Sequence, residues 1–470
     1  MPHLHSSPST EEQLSSLHTF EGKVPLSAAI PLGLQHVMAM FVGNLTPLIV
    51  ILGACGMVGG DFSALRVSLF QNAMIIAGVV TLIQLWAIGP IGGKVPIVMG
   101  TSSGFLGVLR TISATMGGGI LAYGAILGAS IIGGLFEAVL GFFLKPLRKY
   151  FPPVVTGSVV MAIGLSLIGV GIGYFGGGSS SKDYGSMPNL LLGTFVLVTI
   201  IVLKHKFTGM ISAASVLIGI SAGYVLATLL GFILPTTGVD ADGVQYTCSW
   251  VVQWNQIAEA KWFAIPAFLP VKPVFDSRAI LPLLLMYIVT AVETVGDISA
   301  VMIGGSGREA TDSELSGGVI CDGVGSALAA LFGVLPNTSF SQNVGLVSMT
   351  KITNRTVISC GAVFLILCGF CPKLAKIVDI MPQSVLGGAA VMMFASIIVS
   401  GITLITDRGV TARVTTIVAV AIGLGYGIGS STAVLAALPP FVGLIFGESG
   451  IVPAAIIAIV LNIVLPEEIK

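Results

Sequence analysis

Charge is what this chain has least of. Only 9% of its 470 residues are charged, against 54% hydrophobic, and the mean hydropathy is +1.00. An ordinary soluble domain is about 25% charged. So little charge cannot cover so much apolar side chain in water. Lys and Arg (21) balance Asp and Glu (21), and no basic stripe occurs, which excludes a nucleic-acid partner. No secretory leader is expected either. Residues 1–24 are polar and Ser-rich, without a basic start, a short apolar core and a cleavage site, and they read as a disordered cytoplasmic tail. Cysteine is scarce: Cys55, Cys248, Cys321, Cys360, Cys368 and Cys371. Cys368 and Cys371 form a C-x-x-C inside an apolar segment, so they read as small apolar residues, not a redox pair. No metal-ligand or nucleophile–base constellation appears, so neither a catalytic residue, a metal nor a cofactor is expected.

Long apolar runs fill the rest. A bilayer core of about 30 Å needs about 20 apolar residues per helix. Twelve such runs lie near residues 26–54, 65–88, 119–144, 154–176, 189–203, 211–234, 279–303, 315–335, 356–371, 384–405, 411–430 and 449–465. Two more are broken: KVPIVMGTSSGFLGVL (94–109) and VLPNTSFSQNVGLVSM (334–349). Each has a proline, then Ser, Thr and Gly, then apolar residues. Irregular backbone at membrane depth is tolerated where it lines a cavity or is buried in protein, and paired interruptions in two halves point to a transporter's binding site. Counting both gives fourteen spans, with the breaks in the third and tenth. The halves echo each other again: PPVVTGSVVMAIGLSLIG (152–169) resembles MPQSVLGGAAVMMFASIIVS (381–400). Seven spans is odd, so the halves take opposite orientations. The expectation is an all-α polytopic membrane protein built as a seven-plus-seven inverted repeat.

Lys and Arg set the orientation. With the N-terminus inside, cytoplasmic connectors carry Lys94, Lys145, Arg148, Lys149, Lys204, Lys206, Arg308, Lys351, Arg355, Arg408 and Arg413. The short outer connectors carry only Arg66, Arg110, Lys182, Lys373 and Lys376. Both termini are therefore expected in the cytoplasm, in a multi-pass protein of the cell (inner) membrane. The connector at 236–278 is then external, and its Trp250, Trp254 and Trp262 suggest contact with the interface.

Five ionisable side chains lie inside apolar runs, where each costs several kcal/mol, roughly 2.5–3.5 on insertion scales. They persist mainly where they handle protons, ions or substrate. His36 suits proton exchange and can orient a carboxylate; the other reading is a histidine that ties two helices together. Glu293 and Asp297 stand i, i+4 on one helix face, so they share a site, and a carboxylate also accepts paired N–H groups of a heterocycle. Asp322 reads as a coupling or network residue. Glu137 sits near a run's end and is expected to snorkel to the interface. In the second broken run, Gln342 and Asn343 bring amides to membrane depth, Gly345 permits close backbone approach, and Phe340 offers an aromatic face. The amide of Asn343 serves equally well to satisfy broken backbone. Ser102, Ser103 and Ser341 flank the breaks. Together these features point to a proton-coupled membrane transporter.

At these residues the chain resembles the nucleobase–ascorbate transporter family. The family signature, Gln, Glu or Pro followed by N-x-G-x-x-x-x-T, is matched by Gln342, Asn343, Gly345 and Thr350. Its first-helix Gln-His pair matches Gln35 and His36, its eighth-helix acid Glu293, and its ninth-helix Asp-Gly Asp322 and Gly323. The similarity covers residues 25 to 465. It implies a core domain (25–150 and 279–380; spans 1–4 and 8–11) and a gate domain (151–235 and 381–470; spans 5–7 and 12–14). It also implies a strand and half-helix in spans 3 and 10, proton-coupled elevator-like uptake, and a homodimer in the lipid bilayer. Substrate would be held by Glu293, Gln342, Phe340, Ser341, Ser102 and Ser103; protons would be handled by His36, Asp297, Asp322 and Asn343. Gln at the signature position looks purine-directed, so the implied substrate is xanthine or uric acid. A uracil or other nucleobase permease stays open. So does an anion exchanger of the related fold, although neither broken centre holds the basic residue that would need. One departure is Ser103, where several relatives carry an aromatic residue; it leaves the stacking partner, and hence the exact purine, open.

Overall fold

A segment in hydrocarbon must satisfy its own backbone N–H and C=O groups, so apolar runs become helices. The computed structural model describes residues 16–147, 150, 152–240, 242–406, 409–437 and 450–466. The first fifteen residues of the expected tail lie outside the described residues. So do Arg148, Lys149 and Arg408 of the expected inner connectors, and residue 449 of the last run.

In chain order, single-turn pieces aside, the elements are α1 (Leu26–Ala54), α2 (Ser63–Trp86), β1 (Met99–Thr101), α3 (Leu106–Thr115), α4 (Gly119–Phe142), α5 (Pro153–Phe175), α6 (Met187–Lys206) and α7 (Ser215–Ile233). There follow β2 (Thr237–Val239), β3 (Gln245–Thr247), α8 (Ser277–Ser306), α9 (Asp312–Leu331), β4 (Asn337–Ser339), α10 (Ser341–Thr350) and α11 (Arg355–Gly369). The last are α12 (Pro372–Asp379), α13 (Gln383–Thr406), α14 (Ala412–Val420) and α15 (Ile451–Val464). Among the described residues ten helices are long and apolar enough to cross a bilayer, α14 counting with its continuation to Gly429, or eleven if α11 and α12, bent by 83°, form one span. The molecule is therefore a mostly helical, multi-span membrane protein.

Both broken runs form a strand followed by a short helix. β1 and β4 pair antiparallel, with Met99 opposite Ser339, Gly100 opposite Thr338 and Thr101 opposite Asn337. Ser102 N–H donates to the Pro336 carbonyl at 2.8 Å, and Phe340 N–H to the Val98 carbonyl at 2.9 Å. A two-stranded ribbon has two open edges, which hydrocarbon does not tolerate. Side chains close them. Thr81 on α2 accepts the Met99 N–H at 2.9 Å, and Asn44 on α1 accepts the Thr101 N–H at 2.8 Å. On the other edge Ser326 of α9 accepts the Asn337 N–H at 2.9 Å and returns its hydroxyl to the same residue's carbonyl at 2.9 Å.

Helices pack through glycine, as expected where lipid offers no hydrophobic drive and close backbone contact must supply the attraction. α5 meets α13 at Gly157, Gly164 and Gly401; α4 meets α9 at Gly134, Gly141 and Gly323; α2 meets α11 at Gly78 and Gly369; α1 meets α11 at Gly33 and Gly361. α4 meets α8 at Gly133, where a Cβ would strike the Tyr287 ring.

Residues 16–22, the end of the segment expected as a tail, are fastened to the start of α11. Asn354 Nδ2 donates to the carbonyls of Ser16, Thr19 and Gly22 at 3.0, 3.1 and 2.7 Å. Arg355 pairs with Glu21 at 2.9 Å and covers the Phe20 ring. In the long connector, Trp250 is buried against Leu192 and Ala227, whereas Trp254 and Trp262 are exposed. The connector ends at Asp276, which caps α8. Its carboxyl accepts from the Arg278 guanidinium and backbone N–H, which hold it down at about 2. All six cysteines are free.

Candidate functional site

The ends of β1 and β4 and the starts of α3 and α10 converge on one small cavity of about 30 Å³. Glu293, Ser102, Ser103, Phe340, Ser341 and Gln342, all six expected substrate residues, line it. A wider cavity of about 1090 Å³ lies over Arg66, Lys376 and Asp379, but it holds none of the candidates. Its Arg66 and Lys376 are both engaged by Asp379, at 2.7 and 2.9 Å.

Glu293 is the exceptional group. It is 8% exposed, and its Oε2 has no hydrogen-bond partner. Opposite stands Gly104, where an added Cβ would sit 3.5 Å from that oxygen. A buried carboxylate oxygen without a donor is costly; a ligand N–H would meet the need. Two helices also begin at the cavity, so the positive ends of their dipoles favour negative charge or acceptor atoms there.

Asp297 lies behind this wall and is fully engaged. Ser339 Oγ donates to its Oδ2 at 2.6 Å, and Ser341 Oγ to its Oδ1 at 2.9 Å and Oδ2 at 3.1 Å. It fixes the strand-to-helix turn at the start of α10. Asp322 accepts from Thr294 and, at 3.1 Å, from Thr338, both at Oδ2; its Oδ1 has no partner. His36 and Asn343 are not on the cavity. Asn343 Nδ2 lies 3.1 Å from both the His36 ring Nδ1 and the His36 carbonyl, tying α10 to α1. The expectation that His36 orients a carboxylate finds no such contact among the described residues; its ring meets an amide instead. Gly345 also differs from expectation: nothing lies within 4 Å of where its Cβ would sit, so no backbone approaches there. Phe340 lines the cavity, but its ring edge is also wedged between Gly43 and Gly100, where added Cβ atoms would come within 2.9 and 2.7 Å of it.

Glu137 corrects the sequence reading most sharply. It does not snorkel: it is fully buried, with Thr290 Oγ1 donating to Oε1 at 3.1 Å and nothing on Oε2. Its position along the run suggested an interface. The close packing of α4 against α8 and α9 decided otherwise.

A family model described as Permease family matches residues 27–434. The chain belongs to that family. This permease is 33% identical over 434 residues to the uric acid permease PucK of Bacillus subtilis, covering 92% of this chain and 94% of that one. It is 31% identical over 477 residues to the xanthine permease XanP of Escherichia coli, covering 98% and 97%. The fold of the permease is similar to the transmembrane domain of a cyanobacterium bicarbonate transporter, BicA, with a TM-score of 0.55, 15% identity and 93% and 97% of the two chains covered. At that identity the likeness concerns fold alone. The family resemblance drawn from the Gln342–Thr350 signature is thus shown, and the protein is a transporter, not an enzyme.

Several residues that build the site of the permease escaped the sequence reading. Thr101, Gly104, Thr338 and Ser339 line the cavity, as do Ile163 of α5 and Ile397 of α13. Asn44 and Thr294 stand behind it. Asn44 carried a signal, an amide inside an apolar run. The two isoleucines carried none, because only packing brings α5 and α13 to the cavity.

Proposed function

We propose that this permease takes up a purine nucleobase, xanthine or uric acid, coupled to protons, across the cell membrane. The observation that carries the reading is the unpartnered, buried oxygen of Glu293 facing the same cavity as Gln342. A carboxylate accepts two N–H groups side by side, and an amide offers one acceptor and two donors, which together match a purine's edges. The similarity to a uric acid permease and a xanthine permease supports the same substrates. No Lys or Arg lines the cavity, which disfavours anion exchange on this fold.

The ten long helices, the bent α11–α12 pair, α15 and the two broken segments together make the fourteen spans of the reading. Under that count the contacts pair by symmetry. Spans 4 and 8 (α4, α8) answer to spans 11 and 1 (α11, α1), and spans 4 and 9 to spans 11 and 2. Thr81 of span 2 and Ser326 of span 9 close opposite edges of one ribbon. Such pairing is what a seven-plus-seven inverted repeat requires. The cavity has core elements on one side and Ile163 and Ile397 of the gate on the other. It is too small for a purine, so substrate entry needs the two to separate, as an elevator-like movement provides. Both termini in the cytoplasm and a homodimer complete the proposal.

The test is uptake of radiolabelled xanthine, urate, hypoxanthine and uracil into cells expressing the permease, with and without a protonophore. The expected result is xanthine or urate accumulation that collapses with the protonophore. Uracil accumulation alone, or purine accumulation indifferent to the protonophore, overturns the corresponding half of the reading.

A further inference from the structure

Glu137 stands outside the substrate site and outside every role assigned above, yet it is a wholly buried carboxyl. Its surroundings are set by two glycine contacts. At Gly134 and Gly323 the backbones of α4 and α9 approach so closely that a Cβ on either residue would strike the other helix. This close approach carries Glu137, one turn beyond Gly134, to the side of Asp322, which precedes Gly323. Asp322 and Glu293 are the charged groups acting on it. α8 joins the two acids by hydroxyls one turn apart: Thr290 donates to Glu137 at 3.1 Å, and Thr294 donates to Asp322. Each acid keeps one oxygen, Glu137 Oε2 and Asp322 Oδ1, without any partner. The remaining titratable neighbour is Tyr287 of α8, whose hydroxyl is committed to the Ser130 carbonyl at 3.1 Å. Arg110, the charged residue of α3, is exposed, and no ion pair reaches Glu137 among the described residues.

We propose that Glu137 is a further proton-coupling residue, holding the transported proton jointly with Asp322 across the α4–α9 seam. Two neighbouring carboxyls buried away from water do not both ionise cheaply, and they titrate as a pair. With the pair loaded, both acids carry a proton. On release the O–H bond at Asp322 breaks and its proton passes to water on the receiving side, while the separate O–H bond at Glu137 stays intact and keeps that acid neutral; uptake of one proton re-forms the Asp322 O–H bond. No other reactant is needed. Glu293, i+3 from Thr290 on the same helix, stays free to bind substrate while the pair behind it holds the proton. The inference rests on the proton-coupled reading of this permease.

The test compares wild type with Glu137→Gln and Glu137→Asp in proteoliposomes. Xanthine or urate counterflow, which needs no net proton movement, should stay within about twofold of wild type in Glu137→Gln. Accumulation under an inward proton gradient should fall at least tenfold, the pH profile of uptake should flatten, and Glu137→Asp should restore both. Full accumulation with an unchanged pH profile in Glu137→Gln overturns the proposal. Equal loss of counterflow and accumulation, without rescue by Asp, also overturns it and makes Glu137 a strut. If Glu137→Gln fails to reach the membrane, Thr290→Val decides: it keeps the carboxyl and strips its one donor, so the pH profile must move, and an unmoved profile counts against the pair. Wild-type accumulation that ignores a protonophore would sink the proton-coupled reading itself, whereas a silent Glu137 leaves that reading standing.

Discussion

At the residue scale, free carboxylate oxygens separate the acids. Asp297 spends both oxygens on Ser339 and Ser341, so it holds a turn in place. Glu293 leaves Oε2 facing the cavity. Charge-assisted hydrogen bonds are roughly twice as strong as neutral ones, so a substrate N–H on Glu293, as proposed, would be a strong anchor. Glu293→Gln keeps the shape but loses the charge and turns an acceptor into a donor. Binding of xanthine or urate to the purified variant, measured by calorimetry, should weaken at least tenfold, since about 1.4 kcal/mol suffices. Equal affinity in a correctly folded variant would move Glu293 out of the substrate site.

At the element scale, the β1–β4 ribbon is the piece that makes a polar site possible inside an apolar protein. It aims two half-helix N-termini at one point while Asn44, Thr81 and Ser326 satisfy its edges. Gly100 is where this arrangement is tightest. A Cβ there would lie 2.7 Å from the Phe340 ring and 2.8 Å from Asn44 Oδ1 and Met40 Cε. Overpacking of this kind costs about 1–3 kcal/mol. Gly100→Ala should therefore lower the melting temperature of the detergent-solubilised permease and abolish substrate binding together, because Phe340 and Asn44 must both shift. A variant that melts and binds like wild type would show that the crossing has slack to take a methyl group.

At the scale of the whole molecule, the question is whether α5 and α13 move against the helices that carry Glu293. A Cβ on Gly296 of α8 would lie 2.8 Å from Thr156 Cγ2 of α5. That neighbour disappears when Thr156 is itself replaced, so Gly296→Cys with Thr156→Cys brings two Cβ atoms within disulfide range, about 3.5–4.5 Å. In a background freed of the six native cysteines, oxidation should stop uptake and reduction should restore it. Undiminished uptake by a fully cross-linked protein would rule out relative movement at this seam.

The sequence alone determined the solvent, the long apolar helices and the polar cast. Composition demanded a membrane, and the paired breaks at 94–109 and 334–349 announced irregular backbone at a binding site, where the family resemblance implied a strand and half-helix. Gln342, Asn343, Gly345 and Thr350 announced the family, and Glu293 stood out as a charge in an apolar run. These are local signals, written in hydropathy, Pro, Gly and motif spacing. What each acid does was decided only by the tertiary structure. His36 meets the Asn343 amide and not a carboxylate, Asp297 is consumed by serine hydroxyls, and Glu137 is driven inside beside Asp322. The physical reason is that a carboxyl's role depends on which donors reach it. Those donors come from other elements, 42 and 44 residues away for Asp297 and 153 for Glu137, placed by glycine contacts whose pairing no local pattern reveals.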